Sequence, residues 1–93
     1  MPSVIATLKI KQDKIEEARS FLRTLAANVK ANEPGTKAYV FHQRKDDPAQ
    51  FVVYEKYESD EAFKQHGQNL RAQGAGFAAL LDGRPEIVML EEI

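Results

Sequence analysis

The chain has 93 residues and a mass of 10.5 kDa, which is the size of one compact domain and too small for two. A composition of 43% hydrophobic and 29% charged residues is typical of a folded globular protein. The net charge of −1 argues against a nucleic-acid partner, and the absence of cysteine excludes disulfides, a thiolate nucleophile and a Cys-ligated zinc site. No apolar stretch is long enough for a membrane span and no secretory signal pattern is visible, so we expect a cytoplasmic protein with no membrane partner.

The first third of the chain predicts a strand followed by an amphipathic helix. Residues Val4 to Ile10 carry apolar side chains at every second position, the period of a strand. Apolar residues then recur at helical spacing over residues 13–32. Asp13 and Glu16 have the spacing of a capping box at the start of this helix. The segment Glu33-Pro34-Gly35 ends the helix and turns the chain.

Three more strands are predicted after this turn. Residues Thr36 to Arg44 and Phe51 to Glu58 are rich in β-forming side chains, and the short polar turn between them favours an antiparallel hairpin. Residues Glu86 to Glu92 are the last strand, in which Ile87 and Met89 are expected to be buried.

A second helical region is predicted between the hairpin and the last strand. Ser59 or Asp60 is expected to cap its start. Glycines interrupt the region at Gly67, Gly74 and Gly76. We therefore expect a short helix, a kink or loop, and then a helix that ends near Leu81.

The element order β-α-β-β-α-β predicts one α+β domain over residues 1–93 with a ferredoxin-like antiparallel sheet. Helices cover only one face of such a sheet, and the other face normally carries polar side chains. Here Ala38 to Phe41 and Phe51 to Tyr54 are apolar on both faces. An identical sheet across a two-fold axis would cover the second face, so we expect a homodimer. The alternative is an open face that tolerates a few aromatic side chains.

Three segments resemble one known family. Residues 33–39 resemble its E-P-G-x-x-x-Y passage, residues 51–57 its F-x-x-Y-E-x-W/Y strand, and residues 59–66 its S-x-E-A-x-x-x-H helix start. The resemblance covers nearly the whole chain, in the family's order and spacing. The family is the antibiotic biosynthesis monooxygenase (ABM) domain, which includes the YgiN-like quinol monooxygenases.

The resemblance implies a fold and several activities. The implied fold is a ferredoxin-like protomer that dimerises into an α+β barrel. Some members convert dihydroxy-aromatic compounds to quinones with O₂ and without flavin, metal or haem. Another branch processes the autoinducer-2 signal, an oxidised sugar phosphate. Fold and family therefore do not determine the reaction.

His66 and Glu55 are the candidate catalytic residues. The resemblance implies that His66 faces the cavity between sheet and helices, where an imidazole could deprotonate a phenol near neutral pH. The alternative is a histidine that holds the predicted kink through a hydrogen bond. Strand alternation places Glu55 on one face with Phe51, Val53 and Tyr57, where a carboxylate needs a partner. It could orient His66 or bind a substrate hydroxyl, or it could be a structural acceptor or part of an ion pair.

Four residues are candidate substrate-binding groups: Tyr39, Tyr57, Asn69 and Arg71. The two tyrosines could donate hydrogen bonds or stack on an aromatic ring, or they could belong to a plain core or interface. Asn69 and Arg71 follow His66 and could line the cavity mouth, with Arg71 binding an anionic group. A solvated helix face is the alternative for both.

Other site patterns are missing from the sequence. No His, Asp and Glu residues have metal-ligand spacing, and no glycine-rich phosphate loop follows a strand. Tryptophan, which haem-degrading relatives of the fold place beside a helix histidine, does not occur. We therefore expect neither a metal nor another cofactor. His42, on a strand near a basic turn, is expected at the surface.

Together with these residues, the resemblance implies a cofactor-independent monooxygenase that oxidises a small hydroquinone- or catechol-like aromatic compound to a quinone, with His66 as the base. One alternative is a non-catalytic stress-response dimer that binds a small hydrophobic ligand. Another is an isomerase or degradative enzyme for a phosphorylated signal molecule of the autoinducer-2 type. That activity needs an anion site, for which Arg71, Lys56 and Arg84 are the candidates.

Overall fold

A computed structural model describes residues 1–93, which form one four-stranded sheet and the helices packed on it. The strands are β1 (Pro2–Lys9), β2 (Thr36–Gln43), β3 (Gln50–Tyr57) and β4 (Glu86–Glu91), and the helices are α1 (Ile15–Asn32), α2 (Asp60–Ala72) and α3 (Gly74–Ala78). The strands pair antiparallel in the order β2-β3-β1-β4. This is the predicted ferredoxin-like α+β fold. None of the helices combines the length and the hydrophobicity needed to cross a bilayer.

Helix α1 begins two residues later than predicted. A 3₁₀ turn over Gln12–Lys14 precedes it, and neither this turn nor α1 has a side-chain cap. The predicted capping box at Asp13 is therefore wrong. The backbone N–H of Lys14 donates instead to the carbonyl of Lys11, and the helix is held by the burial of its apolar face. That face packs on the ends of β1 and β3 through Ala18, Leu22, Leu25 and Val29.

Helix α2 begins as predicted but continues further. The Ser59 hydroxyl accepts a hydrogen bond from the backbone N–H of Ala62 at 3.2 Å, which confirms the serine cap. Gly67 does not interrupt the helix, which runs to Ala72 before Gln73 separates it from α3. A single glycine costs a helix only about 1 kcal/mol, and packing of the α2 side chains against the sheet offsets that cost.

The helices cover one face of the sheet, and the other face is open. On the covered face lie Phe51, Val53, Glu55 and Tyr57 of β3, which confirms the predicted alternation. The large apolar side chains exposed on the open face are Ile5, Val40, Tyr54, Val88 and Leu90. The sheet is therefore apolar on both faces, as the sequence predicts.

Strand β4 differs from the prediction. Ile87 and Met89 were expected to be buried, but they are 60% and 55% exposed. The expectation is wrong for the single chain because β4 is an edge strand that pairs only with β1 and has no helix packed over it. Its apolar side chains are exposed on both faces of the sheet.

Gly35 brings the start of β2 against the start of α2. Its carbonyl accepts a hydrogen bond from the backbone N–H of Glu58 at 2.8 Å. A Cβ atom at this position would lie 2.7 Å from the Cβ of Ala62, closer than two carbon atoms can approach. Only glycine permits this contact without a shift, and the contact places the end of α1 beside α2.

Candidate active site

A cavity of about 210 Å³ lies between the covered face of the sheet and helices α2 and α3. Its wall is mostly apolar and includes Val4, Ala6, Leu8, Phe41, Val53, Phe63, Leu70, Phe77 and Ile87. The side chains with polar groups in this wall are Tyr39, Glu55 and His66. No lysine or arginine lines it. The cavity therefore suits a neutral, largely apolar molecule that can form a few hydrogen bonds.

Helix α2 carries His66 on the side that faces the sheet. Phe63 precedes it by three residues and Leu70 follows it by four, so all three project to one side of the helix and line the cavity. The imidazole is 4% exposed. Its ring centre lies 4.8 Å from that of Tyr39 and 5.4 Å from that of Tyr57. The two tyrosines restrict the movement of the ring.

Two buried carboxylates flank the imidazole. The Oε1 atom of Glu33 lies 2.9 Å from His66 Nδ1, within hydrogen-bond distance. The Oε1 atom of Glu55 lies 3.9 Å from Nε2, on the other side of the ring. That distance is too long for a hydrogen bond, so Nε2 is open to another partner. Both carboxylates are placed to stabilise the positive charge that the ring gains when it takes a proton.

Glu55 is held in place by its neighbour on β3. The hydroxyl of Tyr57 donates a hydrogen bond to Glu55 Oε1, and both side chains are buried. Burial raises the pKa of Glu55 above its usual value, while the Tyr57 hydrogen bond and the charge of His66 act in the opposite direction. The carboxyl group beside the cavity thus holds a proton to higher pH than an exposed glutamate does.

The two tyrosines beside His66 remain protonated. Burial is the main cause that raises the pKa of Tyr39 above its usual 10, and the charges of Glu55 and Glu33 add to it. Burial also raises the pKa of Tyr57, followed by its hydrogen bond to Glu55. Both hydroxyls are therefore hydrogen-bond donors at physiological pH and do not act as bases. Among the polar side chains of the wall, His66 has the nitrogen suited to accept a proton.

The structure brings some of the predicted site residues together and not others. Tyr39, Glu55 and His66 line the cavity, and Tyr57 is fully buried behind Glu55. Asn69 lines a polar groove between α1 and α2 instead, where its side-chain oxygen accepts a hydrogen bond from Gln65 at 2.9 Å. 

Arg71 and His42 lie on the surface. Arg71 is exposed near the end of α2 and does not line the cavity. It follows His66 by five residues, which places it about 140° around the helix axis. His42 is exposed on the open face of the sheet, as expected.

Glu33 is the site residue that the sequence prediction misses. It was interpreted as part of the turn that ends α1 and of the E-P-G-x-x-x-Y passage, without a role in the site, yet its side chain is 9% exposed and contacts His66. One signal in the sequence was available. A carboxylate at the C-terminal end of a helix opposes the helix dipole, so an acidic residue at this position suggests a specific partner. No three His, Asp or Glu side chains converge in a way that could hold a metal ion.

Comparison with known sequences identifies the family. A sequence model of the antibiotic biosynthesis monooxygenase family matches residues 1–78, which include α1, the hairpin, α2 and α3. The chain belongs to this family. The matched residues include His66 and the side chains around it, so this group is part of the ABM domain itself. The side chains are those of Glu33, Tyr39, Glu55 and Tyr57. No protein of curated function matches the chain significantly.

One solved structure supports the same family, and others share the fold. The chain is 36% identical to a candidate antibiotic biosynthesis monooxygenase from Caulobacter crescentus, over 99% of this chain and 89% of that one, with a TM-score of 0.91. It is 26% identical to a protein from Pseudomonas aeruginosa, over 99% and 93% of the chains, with a TM-score of 0.87. A candidate antibiotic biosynthesis monooxygenase from Nitrosomonas europaea is 23% identical, over 100% of this chain and 99% of that one. It shares the fold with a TM-score of 0.84.

Proposed function

We propose that this ABM protein is a cofactor-independent monooxygenase that uses O₂ to oxidise a small hydroquinone- or catechol-like aromatic compound to a quinone. The observation that carries the proposal is the buried imidazole of His66, whose Nε2 lies on the side of Glu55 in an otherwise apolar cavity. An imidazole in such a place is suited to remove a proton from a phenol in a site from which water is largely excluded.

The cavity supports a small and uncharged substrate. Cavities that bind drug-sized ligands measure roughly 300–1,000 Å³. The cavity beside His66, at about 210 Å³, suits a compound of one or two rings. A phosphorylated substrate is disfavoured because Glu55 lines the cavity and no cationic side chain does. Arg71, Lys56 and Arg84, the candidates for an anion site, all lie outside it.

The reaction begins with proton transfer to His66. Nε2 takes the proton of a substrate hydroxyl, and the resulting phenolate transfers one electron to O₂. The superoxide and the aryloxyl radical combine at a ring carbon ortho or para to that oxygen. This carbon must carry a hydrogen atom, because that hydrogen leaves in the next step. The imidazolium returns its proton to the terminal oxygen of the new peroxide.

The second half of the reaction releases water. His66 removes the hydrogen of the peroxide-bearing carbon as a proton, the electron pair of that C–H bond forms the new C=O bond, and the O–O bond breaks. The departing hydroxide takes the proton from the imidazolium and leaves as water. One atom of O₂ thus enters the quinone and the other enters water, and His66 returns to its starting state.

Glu55 and Tyr39 would assist at the two ends of the substrate. The Tyr39 hydroxyl keeps its proton and would donate a hydrogen bond to a substrate oxygen on which negative charge develops. Glu55 lies 3.9 Å from Nε2 and would stabilise the imidazolium or accept a hydrogen bond from a second substrate hydroxyl. A substrate with two hydroxyl groups would use both contacts.

We also propose that the protein is a homodimer in which the open faces of two sheets meet. Only 16 of 93 residues are buried in the single chain, so its own core is small. The exposed Ile5, Val40 and Tyr54 form an apolar surface on the open face, and a two-fold axis through this surface would make it self-complementary. Val88 and Leu90 of β4 extend the same surface to the edge of the sheet.

Oxygen uptake with a series of one- and two-ring dihydroxyarenes tests the proposed reaction. We expect uptake above the rate of spontaneous oxidation by protein treated with a chelator, and one ¹⁸O atom in the quinone when ¹⁸O₂ is used. Substrates blocked at every ortho and para carbon should not turn over. Binding of these compounds without oxygen uptake would instead support the non-catalytic ligand-binding dimer.

A further inference from the structure

Glu33 occupies a position where a carboxylate is costly. It is the C-terminal cap of α1, and its backbone N–H donates to the carbonyl of Val29 at 2.9 Å. A negative charge at this end of a helix is repelled by the helix dipole. The side chain is also nine-tenths buried, so it has lost most of its hydration. Specific contacts must compensate for both costs.

The contacts of Glu33 determine the protonation pattern of the neighbouring ring. Its Oε1 atom accepts a hydrogen bond from the Thr36 hydroxyl at 3.1 Å and lies 2.9 Å from His66 Nδ1. A carboxylate only accepts hydrogen bonds, so Nδ1 must carry a proton. In the neutral ring Nε2 then has a free electron pair.

No group on the other side of the ring opposes this arrangement. Glu55 Oε1, on that side, is 3.9 Å from Nε2, which is beyond hydrogen-bond distance. It therefore does not hold a proton on Nε2. Glu33 lines the groove behind the ring and not the cavity, so it reaches the substrate only through His66.

We infer that Glu33 is the positioning residue of the site, which holds His66 as the Nδ1-protonated tautomer with an unprotonated Nε2 toward the cavity. The kinetic consequence rests on the proposed function, in which Nε2 is the base. The tautomer itself does not, because it is a property of the protein without substrate. Glu33 should therefore affect the rate of proton transfer much more than substrate binding.

Long-range ¹H–¹⁵N spectra of ¹⁵N-histidine-labelled protein, recorded where the rings are neutral, test the tautomer directly. His42 is the other histidine and is exposed, so His42→Gln assigns the two rings. We expect His66 to carry its proton on Nδ1. Glu33→Gln keeps an oxygen acceptor and should retain this tautomer, whereas Glu33→Ala should shift His66 toward protonated Nε2. A wild-type ring protonated on Nε2, or an unchanged tautomer in Glu33→Ala, would overturn the inference.

Steady-state kinetics test the consequence. Glu33→Ala should lower kcat by roughly 10- to 100-fold, a part of the general-base effect, with KM changed less than about two-fold. Glu33→Gln should recover part of the loss, and Glu58→Gln, an exposed glutamate of the same region, should have no effect. An increase of KM alone would contradict a positioning role. If no dihydroxyarene consumes oxygen but the tautomer shifts as expected, the proposed reaction fails while the role of Glu33 stands.

Discussion

The two faces of the sheet differ in the kinds of side chain that they bury and expose. Under the helices, Glu33, Glu55 and His66 are at least nine-tenths buried. On the open face, Val40 and Val88 are 48% and 54% exposed. Folded chains normally show the reverse, since burying charge and exposing apolar surface both cost free energy.

This contrast indicates a separate role for each face of the sheet. Apolar side chains would give a more stable core than the buried carboxylates do, so the presence of the carboxylates suggests a role in the chemistry of the cavity. The exposed apolar side chains do not favour a free monomer, so they point to a second sheet on the open face. Changes on the covered face should therefore alter the reaction, and changes on the open face should alter assembly.

Removal of the imidazole should give the largest effect. His66→Ala deletes the proposed base and should lower kcat by about 10²- to 10⁴-fold, the usual contribution of general-base catalysis. The change is measured as oxygen uptake with a two-ring dihydroxyarene. His42→Gln is the matched control, because this histidine lies on the open face. An unchanged rate in His66→Ala would remove His66 from the mechanism.

A charge on the open face should break the assembly. Val40→Glu would bury a carboxylate without a partner among the apolar side chains of the proposed interface, which costs several kcal/mol. We expect the dimer dissociation constant to rise by more than about 100-fold, measured by sedimentation at micromolar concentration. Gln68→Glu, on the exposed side of α2, is the control. A wild-type protein that sediments as a 10.5 kDa monomer would contradict the proposed dimer.

A methyl group at Gly35 should destabilise the covered face. Gly35→Ala would place its Cβ 2.7 Å from that of Ala62, so the start of β2 and α2 must separate. Overpacking of this kind costs about 1–3 kcal/mol, which lowers the melting temperature of a domain this size by several degrees. Gly74→Ala is the matched control, because a Cβ at that position would meet no other part of the protein within 4 Å. Equal melting temperatures for the two variants would show that the close contact is not rigid.

The pH dependence of stability should report on Glu55 and give the smallest effect. Burial raises its pKa in the folded state above the usual 4.5, so the folded protein binds the proton more tightly than the unfolded chain. Stability should then fall as the pH rises from about 4.5 to the folded pKa, by at most about 1.4 kcal/mol per pH unit. Glu55→Gln keeps an acceptor for Tyr57 and should remove this contribution. Denaturant unfolding at several pH values measures this contribution. If the unfolding free energies of wild type and Glu55→Gln changed equally with pH, the raised pKa of Glu55 would be contradicted.

The sequence predicts the fold well because the periodic patterns are local. The alternation of Phe51, Val53 and Glu55 assigns a whole face of β3, and the resemblance to the ABM family places His66 at the cavity. The capping box at Asp13 fails because packing of the apolar face of α1 determines where that helix starts. The predicted burial of Ile87 fails because strand order, which puts β4 at an edge, is not a local property.

The site is predicted less completely than the fold, because it depends on contacts between distant segments. Glu33 and His66 are 33 residues apart, and the close approach at Gly35 lies between the segments that carry them. Asn69 was placed by its proximity to His66 along the chain. It lies on the opposite side of the imidazole from Phe63, toward the groove between α1 and α2.

A crystal structure of the protein with a two-ring dihydroxyarene, prepared without oxygen, would test the role of His66 as the base that receives the substrate proton. We expect the aromatic rings in the cavity beside His66, with one hydroxyl oxygen about 2.6–3.2 Å from Nε2. A ligand bound instead in the groove between α1 and β2, where Arg19 and Arg23 lie, would contradict it. A ligand in the cavity with both hydroxyls turned away from Nε2 would contradict the role of His66 as the base.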